Sequence, residues 1–130
     1  MSVLPIILAM FFDFNGSILD YNHFKENCIS VTATAYTSSE REGTSDKITA
    51  SNTVVEEGRT IAVSRELAKS LGYGRKVSLY INNLSSIEYL GEFVIEDCMS
   101  SRYKRRVDVY YDRYKDAMKF GKRQAFLYLQ

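Results

Sequence analysis

The 130-residue chain reads as one mainly β domain closed into a six-stranded barrel that carries two short helices. Three observations predict this. Six stretches rich in β-branched, aromatic or Leu residues recur from Val31 onward, which is the composition of strands. Two short helical patterns interrupt them, each with its own start and stop signal. Closure of so strand-rich a chain into a barrel also removes the exposed edges that invite aggregation. A sandwich is the alternative use of the same strands.

The first strand is VTATAYT: Val31, Ala33 and Ala35 fall on one face and Thr32, Thr34 and Tyr36 on the other, the alternation of a half-buried strand. Residues 38–52 are polar, with Gly43 and almost no apolar side chain, and predict a long surface loop. Further strands are predicted over 60–63, 76–81, 92–97, 107–111 and 125–129. In the first helix Ser64 can cap the free N–H groups, Leu67 and Leu71 share a face, and Gly72 ends the turn. The second repeats the scheme with Asp112 as cap, Ala117 and Phe120 on the buried face, and Gly121 as the stop. Helices of about two turns are not stable alone, so both must pack on the sheet. No internal sequence repeat and no linker breaks the stretch from Val31 to Gln130.

Apolar residues at 45% and charged residues at 25% describe a folded domain with one core. A net charge of +1 provides no overall field for a polyanion, so nucleic acid is not an expected partner. Two cysteines, Cys28 and Cys98, are too few for a disulfide framework or a zinc site, and His23, the single histidine, excludes a multi-histidine centre. No metal or cofactor is expected. Residues 3–12 (VLPIILAMFF) are too short to span a bilayer but have the length of a signal-peptide apolar region; a buried strand fits them equally. Residues 1–27 are therefore read as an N-terminal apolar leader or extension, without a stable membrane span, and 28–130 as the barrel domain.

Two carboxylates stand out. Asp97 ends a strand in which Phe93 and Ile95 share its face, which places it at a rim where an apolar wall gives way to loop. Asp108 lies between Val107 and Val109 and points away from them, with Tyr110 and Asp112. The segment between, CMSSRYKRR, carries Arg102, Lys104, Arg105 and Arg106, the one local excess of positive charge, suited to an anionic polymer or to plain solvation. Ten tyrosines and no tryptophan offer flat faces for sugar stacking, although core and wall positions would use them too.

In combination, VTATAYT, ITAS at 48–51, GRTIAVS at 58–64 and EDCMSSRYKRRVDVYYD at 96–112 resemble the 3D-domain family, over about the last hundred residues. These are double-psi β-barrels named for three aspartates. Relatives include the catalytic barrel of membrane-bound lytic transglycosylases of the A type and secreted muralytic proteins. The resemblance implies a six-stranded double-psi barrel in the cell envelope, periplasmic or secreted, acting on peptidoglycan glycan strands. It places the second and third family aspartates on Asp97 and Asp108, with Asp108 the general acid/base, and the first on Ser64, with Glu66 two residues later as the substitute carboxylate if the backbone allows. It also implies substrate contacts from Thr34, Tyr36, Thr49, Ser64, Arg102 and Arg106. The family's Gly-rich stretch after the second aspartate is replaced here by residues 98–105. The activity implied is lytic transglycosylation by one Asp; the alternative is a barrel that binds wall polysaccharide without cutting it.

Overall fold

A computed structural model of the chain describes residues 10–12, 18–20, 24, 26–38 and 47–130. His23, most of the apolar run 3–12 and residues 39–46 of the polar loop lie outside the described residues. Strands β1 (Met10–Phe12) and β2 (Ile18–Asp20) pair antiparallel as a separate two-stranded sheet. The barrel comes next, in chain order β3 (Cys28–Tyr36), β4 (Thr60–Val63), α1 (Arg65–Leu71), β5 (Lys76–Asn82), β6 (Ile87–Cys98), β7 (Arg106–Tyr110), α2 (Tyr114–Phe120) and β8 (Arg123–Leu129).

Around the closed barrel the strands are ordered β3-β7-β4-β6-β5-β8, and β8 returns to β3. The predicted six-stranded, mainly β architecture with two short helices is therefore the one observed. Two of the pairings are parallel, β3 with β7 and β4 with β6; the others are antiparallel. Exchanging β3 with β6, β4 with β7 and β5 with β8 reproduces every pairing. Each half also runs strand, strand, helix, strand. The barrel thus has a two-fold repeat of connectivity, as a double-psi barrel requires, although the sequence shows no repeat.

Alternation fills the interior. Val31 and Ala33 from β3, Ile61 and Val63 from β4, and Val107 and Val109 from β7 form one core with residues of the remaining strands. Burying each Val, Ile or Leu of that core contributes about 1.5–3 kcal/mol. Leu67 of α1 joins this core, with Leu71 packed against it; Ala117 of α2 is buried and Phe120 also packs on the core. Both helices thus bury their apolar faces on the barrel, as their length demands.

The helix stops are as predicted, with Gly72 at φ 88° and Gly121 at φ 70°, a region that favours glycine. The starts differ. Ser64 occupies the N-cap of α1 but makes no side-chain cap; its hydroxyl accepts the Arg106 N–H at 3.3 Å, tying the end of β4 to the start of β7. At α2 the cap position belongs to Arg113, not Asp112, whose N–H is taken by Glu57 Oε1 at 2.8 Å.

A second apolar cluster lies outside the barrel. Tyr80 and Phe126 point away from the core and are covered by Phe24, just ahead of β3. The Phe24 ring stacks on Tyr128 at 5.4 Å and meets Tyr80 edge-on at 5.1 Å. Cys28 and Cys98 are both half-buried, and burial pushes the Cys28 thiol up. Among the described residues no helix is long and apolar enough to cross a membrane.

Candidate active site

The strand register brings the two aspartates together. On β4, Ala62 is paired with Asp108 of antiparallel β7 on one side and with Asp97 of parallel β6 on the other. Partners in register point to the same face, and Ala62 faces away from its core neighbours Ile61 and Val63. The three side chains therefore share the face opposite the core. Two strand spacings of about 4.8 Å separate the backbones of the two aspartates, and between them stands only the methyl of Ala62.

Asp108 reaches this face by regular alternation, since its neighbours Val107 and Val109 are in the core. Asp97 does not. Strict alternation would keep Asp97 on the face of Phe93 and Ile95, both core residues, which is the face the sequence assigns it at the rim. The pairing instead skips a residue: Ile61 faces Ile95 and Ala62 faces Asp97, so Glu96 is an inserted bulge. A bulge places consecutive residues on one side and re-aims the next side chain along the strand, and here it turns Asp97 out beside Asp108. Glu96 is only 7% exposed, and its Oε1 accepts the Thr60 hydroxyl at 2.7 Å and Arg59 Nε at 3.2 Å. A buried carboxylate needs such partners, and these hold the bulge in place.

The two carboxylates line one cavity of about 320 Å³, within the range of small-molecule sites. Tyr36, Ser38 and Ala62 line it with them; Ile48 and Val55 come from the segment after β3, and Met99, Ser100 and Tyr103 from the loop after β6. Asp97 is an acceptor ringed by donors. Its Oδ1 takes the N–H groups of Ala50 at 2.9 Å and Cys98 at 3.0 Å, and its Oδ2 takes the Tyr36 hydroxyl at 3.3 Å. Asp108 Oδ1 accepts the Thr34 hydroxyl at 2.8 Å. Burial first, then the charges of Asp97 and Asp108, push the Tyr36 phenol far above its ordinary range. Tyr36 therefore stays protonated and lies within the field of both carboxylates.

Of the remaining predicted contacts, Thr34 and Tyr36 reach the carboxylates, whereas Thr49, Ser64, Arg102 and Arg106 are not among the cavity's lining residues. The Thr49 hydroxyl is engaged with Thr53 at 2.7 Å and Ser51 at 3.1 Å, closing a tight turn. Ser64 is fully buried. Glu66 is directed toward the loop before β7, where it accepts the Arg105 N–H at 2.6 Å. Burial raises its pKa, but hydrogen bonds from Arg105, its own N–H and Ser64, with the Lys104 charge, outweigh this and hold Glu66 below the usual range. The guanidiniums of Arg102 and Arg106 lie over the Tyr103 ring, 4.9 and 4.6 Å from its centroid. Sequence reasoning missed Ala62, Met99 and Tyr103; Tyr103, an aromatic among cations, carried the only readable signal.

No protein-family model matches the chain, and no curated protein does. Solved structures do match. One, described as the crystal structure of MltA from E. coli, aligns with a TM-score of 0.47 at 14% identity, over 64% of this chain and 27% of that one. The chain thus spans about a quarter of that protein's length.

Proposed function

We propose that this chain is a 3D-type barrel of the cell envelope that cleaves peptidoglycan glycan strands as a lytic transglycosylase, with Asp108 as its general acid/base. The observation that carries the reading is the meeting of Asp97 and Asp108 in one cavity, across a residue no larger than alanine. Such a reaction needs a single carboxyl group. It first protonates the glycosidic oxygen; then, as carboxylate, it removes the proton from the muramyl 6-hydroxyl as that oxygen closes the 1,6-anhydro ring. No water is consumed, so the second carboxyl of an ordinary glycosidase is not required.

In this scheme Asp108 takes both proton steps and Thr34 orients it. Asp97 is a positioning residue: its three donors leave it to hold Tyr36 and the segment at Ala50, and its charge faces the site. The test is digestion of purified sacculi, with anhydromuropeptides read by mass. Asp108→Asn should lower product formation by about 10²- to 10⁴-fold, the usual contribution of a general acid/base. Absence of anhydro products from the unaltered protein would overturn the reading.

One observation favours a second reading, a barrel that binds wall polysaccharide without cutting it. At the position of the family's first aspartate stands Ser64, buried, and neighbouring Glu66 is tied to the backbone of Arg105. That corner therefore brings no carboxylate to the cavity. Binding to sacculi that survives Asp108→Asn, with no cleavage by either protein, is the outcome that reading expects.

A further inference from the structure

The aspartate cavity is lined by two tyrosines, Tyr36 and Tyr103, whose hydroxyls are fixed in opposite hydrogen-bond senses. Tyr36 donates its O–H to Asp97 Oδ2 at 3.3 Å. A carboxylate only accepts, so the Tyr36 proton is committed and its oxygen has only lone pairs to offer a ligand. Tyr103 is the reverse. Its oxygen accepts Arg102 Nη2 at 2.8 Å, and a guanidinium only donates, so the Tyr103 O–H is left for a ligand. Each first bond polarises the second: the carboxylate makes Tyr36 a better acceptor, and the guanidinium makes Tyr103 a better donor. The same cavity has an apolar wall, Ile48 and Val55. Both belong to the segment after β3, which is docked beside Asp97 by the Ala50 N–H on Asp97 Oδ1 at 2.9 Å and the Ser51 N–H on the Glu96 carbonyl at 3.1 Å. Ile48 is 47% exposed, so apolar surface is open at the lip of a cavity that is otherwise largely polar.

An acceptor, a donor and an apolar wall are together the complement of a secondary amide that ends in a methyl. We infer that the cavity selects its sugar by the 2-acetamido group: Tyr36 accepts the amide N–H, Tyr103 donates to the carbonyl, and Ile48 and Val55 cover the methyl. This rests on the glycan reading and deepens it, by naming the chemical group that the site recognises. Both units of a chain alternating N-acetylglucosamine with N-acetylmuramic acid carry that group, so recognition does not depend on the muramyl carboxylate. A sugar with a 2-hydroxyl has neither the carbonyl nor the methyl, and a site built for hydrogen bonds rejects an analogue that leaves them unmade.

The probes are two neutral tetrasaccharides of the same β-1,4 linkage, one of N-acetylglucosamine and one of glucose. Each is titrated calorimetrically into Asp108→Asn protein, so that cleavage does not intervene. The acetamido tetramer should bind at least about tenfold more tightly. Tyr36→Phe and Tyr103→Phe should each narrow that preference by about three- to tenfold, the range of one neutral hydrogen bond. Ile48→Ser should narrow it by about two- to fourfold. Tyr103→Phe should leave the urea midpoint unchanged, which separates recognition from any loss of fold. Equal binding of the two tetramers, binding of neither, or a preference that survives both phenylalanine variants overturns the inference. The glycan reading is decided separately, by the anhydro products from sacculi.

Discussion

The two parallel strand pairs of the barrel each bring one carboxylate to the same face, by different means. In β3 with β7 the register is unbroken from Thr32 to Tyr36, and Asp108 faces outward because its valine neighbours face inward. In β4 with β6 the register slips at Glu96, and Asp97 faces outward only because of that slip. The connectivity treats the pairs as equivalents, so the difference lies in the side chains. In the regular pair a hydroxyl of the neighbouring strand, Thr34, orients Asp108. The bulged pair surrounds Asp97 with donors and seats a buried glutamate behind it. In the proposed mechanism Asp108 moves the protons and Asp97 holds the site together.

Removing the bulge's support should break this difference most. Glu96→Ala deprives the buried Thr60 hydroxyl and Arg59 of an acceptor, and it should destabilise the barrel by about 2–3 kcal/mol. A shift of the urea midpoint at unchanged slope reads this directly, and no shift would mean that the bulge holds itself. Comparing the two aspartates sharpens the contrast. Asp97→Ala strands three donors and should cost about 1–2 kcal/mol of stability, whereas Asp108→Ala should cost less and remove cleavage. The reverse ranking in urea would exchange the two roles.

The smallest effect concerns the corner where α1 meets the loop before β7. Glu66 is held below its ordinary range in the folded protein. Its contribution is therefore fully present above the unfolded-state pKa and is lost as the pH falls through the lower folded value. Glu66→Gln should remove that contribution at neutral pH, and variant and parent should converge in thermal stability as the pH drops below the folded value. A constant offset between the two across the acid limb would show that the ionised form of Glu66 adds nothing.

Much of the barrel was legible because local composition and alternation dictate it. VTATAYT, TIAV and VDV announce which residues face the core, and the structure buries Val31, Ala33, Ile61, Val63, Val107 and Val109 accordingly. The outward direction of Asp108 came from the same rule. The helix stops were legible too, since Gly72 and Gly121 each adopt a positive φ. The starts were not, because Ser64 had a better acceptor role across the sheet, toward Arg106, than within its own helix. Ala62 was missed because an alanine between two carboxylates is informative only once the strands are paired.

What the chain determined by itself was its periodicity, and with it the number of barrel strands, the core face and the direction of Asp108. What only the tertiary structure decided was parity and partnership. A bulge is defined by what lies opposite, so the facing of Asp97 depended on β4, a strand far back in the chain. The two-fold repeat of connectivity arises in the same way, from pairings that close across the barrel and leave no trace in residue order.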